Sequence, residues 1–123
     1  MKSPLDPRHQ RRKACIQALF SWGFGQKAIT NPLCLSVIQN QEAVDDFIQK
    51  SAPEWPIQQI NRLDLAILRL AVYELAIAQK EPPKVIIDEA VELAKEFGSE
   101  SSPAFVNGCL GAVLSHIENK SHD

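Results

Sequence analysis

LDLAILRLAVYELAIAQ, Leu63 to Gln79, is apolar almost all the way round when wound as a helix. Leu65, Ile67, Leu68, Leu70, Val72, Leu75 and Ile77 point in nearly every direction at helical spacing. A surface helix keeps one polar face, so a segment like this is predicted to run through the middle of a helical bundle. Arg69 and Glu74 lie inside it, where an unpaired charge is costly, and Arg69 is expected to pair with Glu89 or Glu74. Asp64 directly precedes the apolar run and reads as its N-cap. Glu81-Pro82-Pro83 ends it.

Working outward, VIIDEAVELAKEFG places Val85, Ile86, Ala90, Leu93, Ala94 and Phe97 on one face of a second helix. Asp88, Glu89, Glu92, Lys95 and Glu96 fall on the other face, and Gly98 stands where a left-handed C-cap belongs. Ser102-Pro103 opens a last helix. Asn107-Gly108 is a hairpin signal, but Phe105, Val106, Cys109, Leu110, Val113, Leu114 and Ile117 keep helical period around it, so the helix is read straight through. Gly108 and Gly111 then cost roughly 1 kcal/mol each against Ala, which points to something packed close against bare backbone. Asn107 is expected as a buried hydrogen-bonding side chain. Upstream, Pro7 opens a helix over about residues 7–23, and Asn31-Pro32 opens another that runs through Val44, Phe47 and Ile48 to Ala52-Pro53. Trp55-Pro56 starts a short helix carrying Ile57 and Ile60. No strand pattern occurs. The fold class is all-α: a compact bundle of about six helices and no β-sheet, one domain over 1–123. Residues 1–52 form the N-terminal helices with a basic start, 53–119 the C-terminal helical part and 120–123 a tail.

Charge is unevenly placed. The 123 residues carry a formal net charge of −2, yet Arg8, Arg11, Arg12 and Lys13 sit together with His9 in RHQRRK, and residues 1–27 total +5 against −7 for the rest. Such asymmetry is the pattern of a local polyanion site on an acidic body; a solvated basic tail would give the same count. With 45% hydrophobic and 23% charged residues the composition is globular. No apolar run reaches the ~20 residues that span a bilayer, and no secretory signal is present, so a soluble cytoplasmic protein with no membrane contact is expected. Cys15, Cys34 and Cys109 form neither a metal-ligand cluster nor a disulfide pattern and read as small core hydrophobes. There is no glycine-rich phosphate loop, His/Glu metal pair or nucleophile–base set, so no catalytic, metal or cofactor residue is assigned. His9, His116 and His122 read as solvent-exposed.

ACIQALFSW, AILRLAVYEL, VIIDEAVELAKEFG and FVNGCLGAV, in this order and spacing, resemble the NusB family of transcription antitermination factors. The resemblance implies two packed helical subdomains and a non-enzymatic RNA-binding factor. It implies pairing with NusE, a small-subunit ribosomal protein, to hold single-stranded boxA RNA in the RNA polymerase antitermination complex during ribosomal RNA synthesis. Some relatives form homodimers that cover the basic surface, and either state fits this chain.

Carried onto these residues, the resemblance assigns RNA contact to Lys2, Arg8, His9, Arg11, Arg12, Lys13 and Phe20. Cationic side chains at a helix start neutralise phosphates, and helical spacing brings Arg8, Arg11 and Arg12 near one face. Phe20 stands where relatives commonly have Tyr, and a ring can stack an unpaired base, although apolar spacing alone makes Phe20 and Trp22 core. Asp64 and Gly111 match partner-surface positions, the latter replacing an acidic residue. The stretch between Trp22 and Trp55 is shorter than is usual in the family. Two rivals remain: a protein-only adaptor, and a domain like those fused to RNA cytosine methyltransferases but lacking the catalytic part.

Overall fold

The computed structural model describes residues 6–25 and 28–121. Six helices and no strand occur among them: α1 Pro7–Gly23, α2 Pro32–Gln39, α3 Gln41–Ser51, α4 Arg62–Tyr73, α5 Pro83–Phe97 and α6 Ser102–Ser121. A 3₁₀ turn, Ile57–Gln59, leads into α4, and a π-helical turn, Glu74–Ala78, continues it.

The apolar segment takes the centre. α4 packs against every other helix, and Leu65 to Leu68, Leu70, Ala71 and Val72 are all buried. Its N-cap is Asn61, whose side-chain oxygen accepts from the backbone N–H groups of Leu63 and Asp64 at 2.9 and 3.3 Å. That corrects the N-cap assignment: Asp64 lies within the first turn of the helix, three residues after the cap, and is only 8% exposed. Arg69 also differs from expectation. Its guanidinium makes two parallel bonds at 2.9 Å to Asp45 of α3, not to Glu74 or Glu89. The planar fork matches a carboxylate face on, and this pair ties α3 to the central helix.

Three further readings change. The helix expected from Asn31 to Ala52 is two. Asn40 leaves helical geometry at φ −108°, ψ 14° while its amide donates to the Ser36 carbonyl at 2.8 Å, so a side chain that competes with the backbone separates α2 from α3. Gly98 has φ −88° and is no left-handed cap. A Cβ placed there would lie 2.5 Å from the Ser102 side chain, so glycine is required by the close approach of α5 and α6. Asn107, Gly108 and Gly111 are exposed rather than buried, and no atom lies within 4 Å of where a Cβ would stand on either glycine. Helix α6 does run through Asn107-Gly108, burying Val106, Cys109, Leu110 and Val113 on its other side. The three cysteines are free and buried, and burial pushes the Cys109 thiol up to about 11.

Candidate nucleic-acid interface

Helix α1 begins with Asp6 as N-cap, its carboxylate accepting from the Arg8 backbone N–H at 2.8 Å, and Pro7 in the first turn. That bond holds the Asp6 carboxyl below its usual range. Buried positions Arg12, Cys15, Ile16 and Leu19 then recur at helical spacing. This periodicity decides the fate of the basic run. Arg12 falls on the inward stripe; Arg8 and Arg11 fall outside it.

Arg12 is therefore 3% exposed, which corrects its assignment to an open RNA-facing surface. Its Nε bonds Glu74 Oε2 at 3.0 Å, one Nη2 bond reaches Glu74 Oε1 at 3.1 Å, and Nη2 also donates to Glu81. Glu74 is the first residue of the π turn and Glu81 lies just beyond its end. The turn closes with Gln79 donating to the Glu74 carbonyl at 2.9 Å, Gln79 itself adopting φ 52°. One buried cation thus spans both ends of the irregular segment.

The neighbouring cations meet acids of the same region. Arg8 keeps a 62% exposed side chain and approaches Glu81 at 3.4 Å and Asp6 at 3.6 Å. Lys13 pairs with Glu96 at 2.9 Å and stands 5.5 Å above the Phe97 ring. His9 is not solvent-exposed. Its side chain is 12% exposed, with Nδ1 against the Glu89 carboxylate and Nε2 3.0 Å from Glu96. A neutral imidazole has one N–H, so two carboxylates facing both ring nitrogens fit the charged form. Burial pulls the His9 pKa down, but hydrogen bonds to Glu89 and Glu96 outweigh it and leave it raised. Glu96 is held below its ordinary value, first by Lys13 and then by His9. Glu89, placed on the polar face by the sequence, is 1% exposed.

Arg11 is exposed, with no ion pair or side-chain hydrogen bond among the described residues. Lys2 lies outside the described residues. Phe20 is 36% exposed and meets Phe24 edge-on at 4.9 Å. It sits about 18 Å along α1 from Arg8 at the ordinary helical rise, so the structure does not gather it with the cations. Instead it lines a cleft of about 340 Å³ with Trp22, Arg62 and Arg69. Nearby, the Arg62 guanidinium stacks 4.6 Å from the Phe24 ring centre and donates to the Gly23 carbonyl. Of the partner positions, Gly111 is exposed, whereas Asp64 is mostly buried, with one carboxylate oxygen lacking a hydrogen bond.

The acids that receive the basic run, Glu74, Glu81, Glu89 and Glu96, were not singled out as a set in the sequence. One signal was available. Glu89 and Glu96 are seven residues apart, two turns of one helix, and so present carboxylates on a shared stripe.

A model of the NusB family matches residues 24–115. The transcription antitermination protein NusB of Geobacillus kaustophilus is 35% identical over 127 residues, covering 90% of this chain and 98% of that protein. That of Treponema denticola is 36% identical, covering 93% and 97%. The NusB of Herpetosiphon aurantiacus is 48% identical over 84 residues, where the match spans 66% of this chain and 58% of that relative's length. The solved structure of T. maritima NusB superposes with a TM-score of 0.82 at 29% identity, covering 98% of this chain and 97% of that one. A solved complex of the antitermination factors NusB and NusE with dsRNA contains a chain of the same fold, with a TM-score of 0.78 at 22% identity, covering 89% and 96%. With one family model over most of its residues and relatives above 30% identity along nearly their whole length, this chain belongs to the NusB family.

Proposed function

We propose that this protein is a non-enzymatic transcription antitermination factor that holds boxA-like single-stranded RNA together with the ribosomal protein NusE, within the RNA polymerase antitermination complex. Membership of the NusB family is the observation that carries this reading. Relatives that match nearly end to end carry the name transcription antitermination protein, and a protein of the same fold occurs in a complex with NusE and RNA. The start of α1 supports it chemically. Arg8 and Arg11 reach solvent there, and Arg8 is held by acids only at 3.4 and 3.6 Å, so a phosphate can replace them. His9 and Lys13 lie beside this surface and position it; Arg12 acts from inside. In the same reading the protein works in the cytoplasm, and a homodimer that covers the basic end is a resting form displaced by RNA.

A protein-only adaptor is the second reading, and one observation favours it: Arg8, His9, Arg12 and Lys13 all have carboxylate partners within the chain. Salt separates the two. Titration of boxA RNA with this protein, alone and with NusE, should give affinity that falls with salt at a log–log slope near −0.7 per phosphate contacted. Arg8→Ala and Arg11→Ala should each weaken binding and flatten that slope. Binding that is flat across salt and indifferent to both substitutions assigns the protein to the adaptor class.

A further inference from the structure

Between α1, α2 and the π turn lies a cleft of about 320 Å³, lined by Arg11, Asn31, Leu33, Tyr73, Lys80 and Ile86 among others. Glu74 and Glu81 also line it, and their negative charge would repel an anion. Arg12 removes that obstacle, for its buried guanidinium occupies both carboxylates, and Arg8 reaches Glu81 as well. Arg11 and Lys80 are left over. Both are exposed, and neither has an ion pair among the described residues. Two open cations therefore flank a cleft whose two acids are both engaged by Arg12.

Its interior is mixed. Tyr73 presents a half-buried ring whose hydroxyl has no hydrogen-bond partner among the described residues, beside Leu33 and Ile86. Asn31 uses its side-chain oxygen to cap α2 through the Cys34 N–H at 2.9 Å, which leaves its amide N–H groups to donate. Ser36 donates to the Pro32 carbonyl at 3.2 Å and keeps oxygen lone pairs to accept. An aromatic face, apolar walls, a free donor, a free acceptor and two flanking cations are the recognition chemistry of a nucleotide taken out of its stack.

We propose that this cleft seats one unstacked nucleotide of the single-stranded RNA, its base against Tyr73 and its flanking phosphates on Arg11 and Lys80. The assignment rests on the RNA-binding reading above and gives it a specific subsite. It also gives Arg12 a role without RNA contact: it is a positioning residue that keeps Glu74 and Glu81 from competing with phosphate.

The test uses the full chain and short single-stranded boxA RNAs carrying 2-aminopurine at successive positions, with folding of each variant checked by circular dichroism. One position should change fluorescence sharply on binding, and Tyr73→Ala should abolish that change while weakening affinity about tenfold, as loss of one base stack does. RNA made abasic at that position should bind the parent and Tyr73→Ala equally. Lys80→Ala and Arg11→Ala, both at exposed positions, should each lower affinity and reduce the salt slope by about 0.7, and they carry the test if Tyr73→Ala does not fold. Unaltered affinity and salt slope in both cation variants would overturn the subsite while RNA binding by the parent stands. No binding of any of these RNAs by the parent at low salt would overturn the RNA reading itself.

Discussion

Replacing Arg12 with Ala should cripple stability. The guanidinium is buried and makes two bonds to Glu74 near 3 Å and a third contact to Glu81, whose side chains are themselves only 12% and 18% exposed. Truncation leaves two largely desolvated carboxylates facing each other's field, Glu74 without a counter-ion and Glu81 with only the exposed Arg8 at 3.4 Å. Breaking a buried ion pair from one side typically costs about 3–5 kcal/mol, and the lost packing of the arginine stem adds to it. For a domain of this size that corresponds to a fall in melting temperature of roughly 10–20 °C. Urea denaturation followed by circular dichroism measures the loss directly. Arg8→Ala provides the contrast: a 62% exposed side chain with longer contacts should change stability by less than about 1 kcal/mol. The triple variant Arg12→Met/Glu74→Leu/Glu81→Leu should recover much of the stability lost in Arg12→Ala, because it removes the orphaned charges along with their partner. A loss below about 1 kcal/mol in Arg12→Ala would show that water reaches the two acids, and would refute the buried arrangement.

Stability should also depend on pH through His9. Its pKa is raised in the folded protein above the ordinary 6.5, so the stabilisation is complete below that value and disappears as pH rises through the folded pKa. Melting temperatures of the parent and His9→Gln should therefore converge on the alkaline side and separate on the acidic side; parallel curves would show that His9 does not titrate against Glu89 and Glu96. The glycines should divide by surroundings. Gly108→Ala, with open space at its Cβ, should stabilise α6 by up to about 1 kcal/mol, whereas Gly98→Ala, meeting Ser102 at 2.5 Å, should destabilise by about 1–3 kcal/mol, both read from urea midpoints.

Helix positions and the central place of Leu63–Gln79 were legible because apolar period and proline punctuation are local signals. The start of α1 at Pro7 and its end at Gly23 follow from them directly. Pairing was not legible in the same way. That Arg69 needed a carboxylate follows from its surroundings, but Asp45 and Glu89 are equally good acids until the packing of α3 on α4 selects between them. The basic run shows the same division. RHQRRK announces a cationic end, yet only its register against Cys15, Ile16 and Leu19 turns Arg12 inward and leaves Arg11 outside. Gly98 looked like a cap because a glycine after a helix is most often one, and here the need comes from a residue of the next helix.

The widened turn at Glu74–Ala78 holds one residue more than α-helical pairing requires there. Deleting a single amino acid in that stretch would let the central rod continue with regular geometry, a local gain. The shortened chain would then carry Glu81 away from the guanidinium that also grips Glu74, and would reshape one wall of the adjoining cleft. The length of the irregular turn thus acts as a spacer that sets where the two acids come to rest.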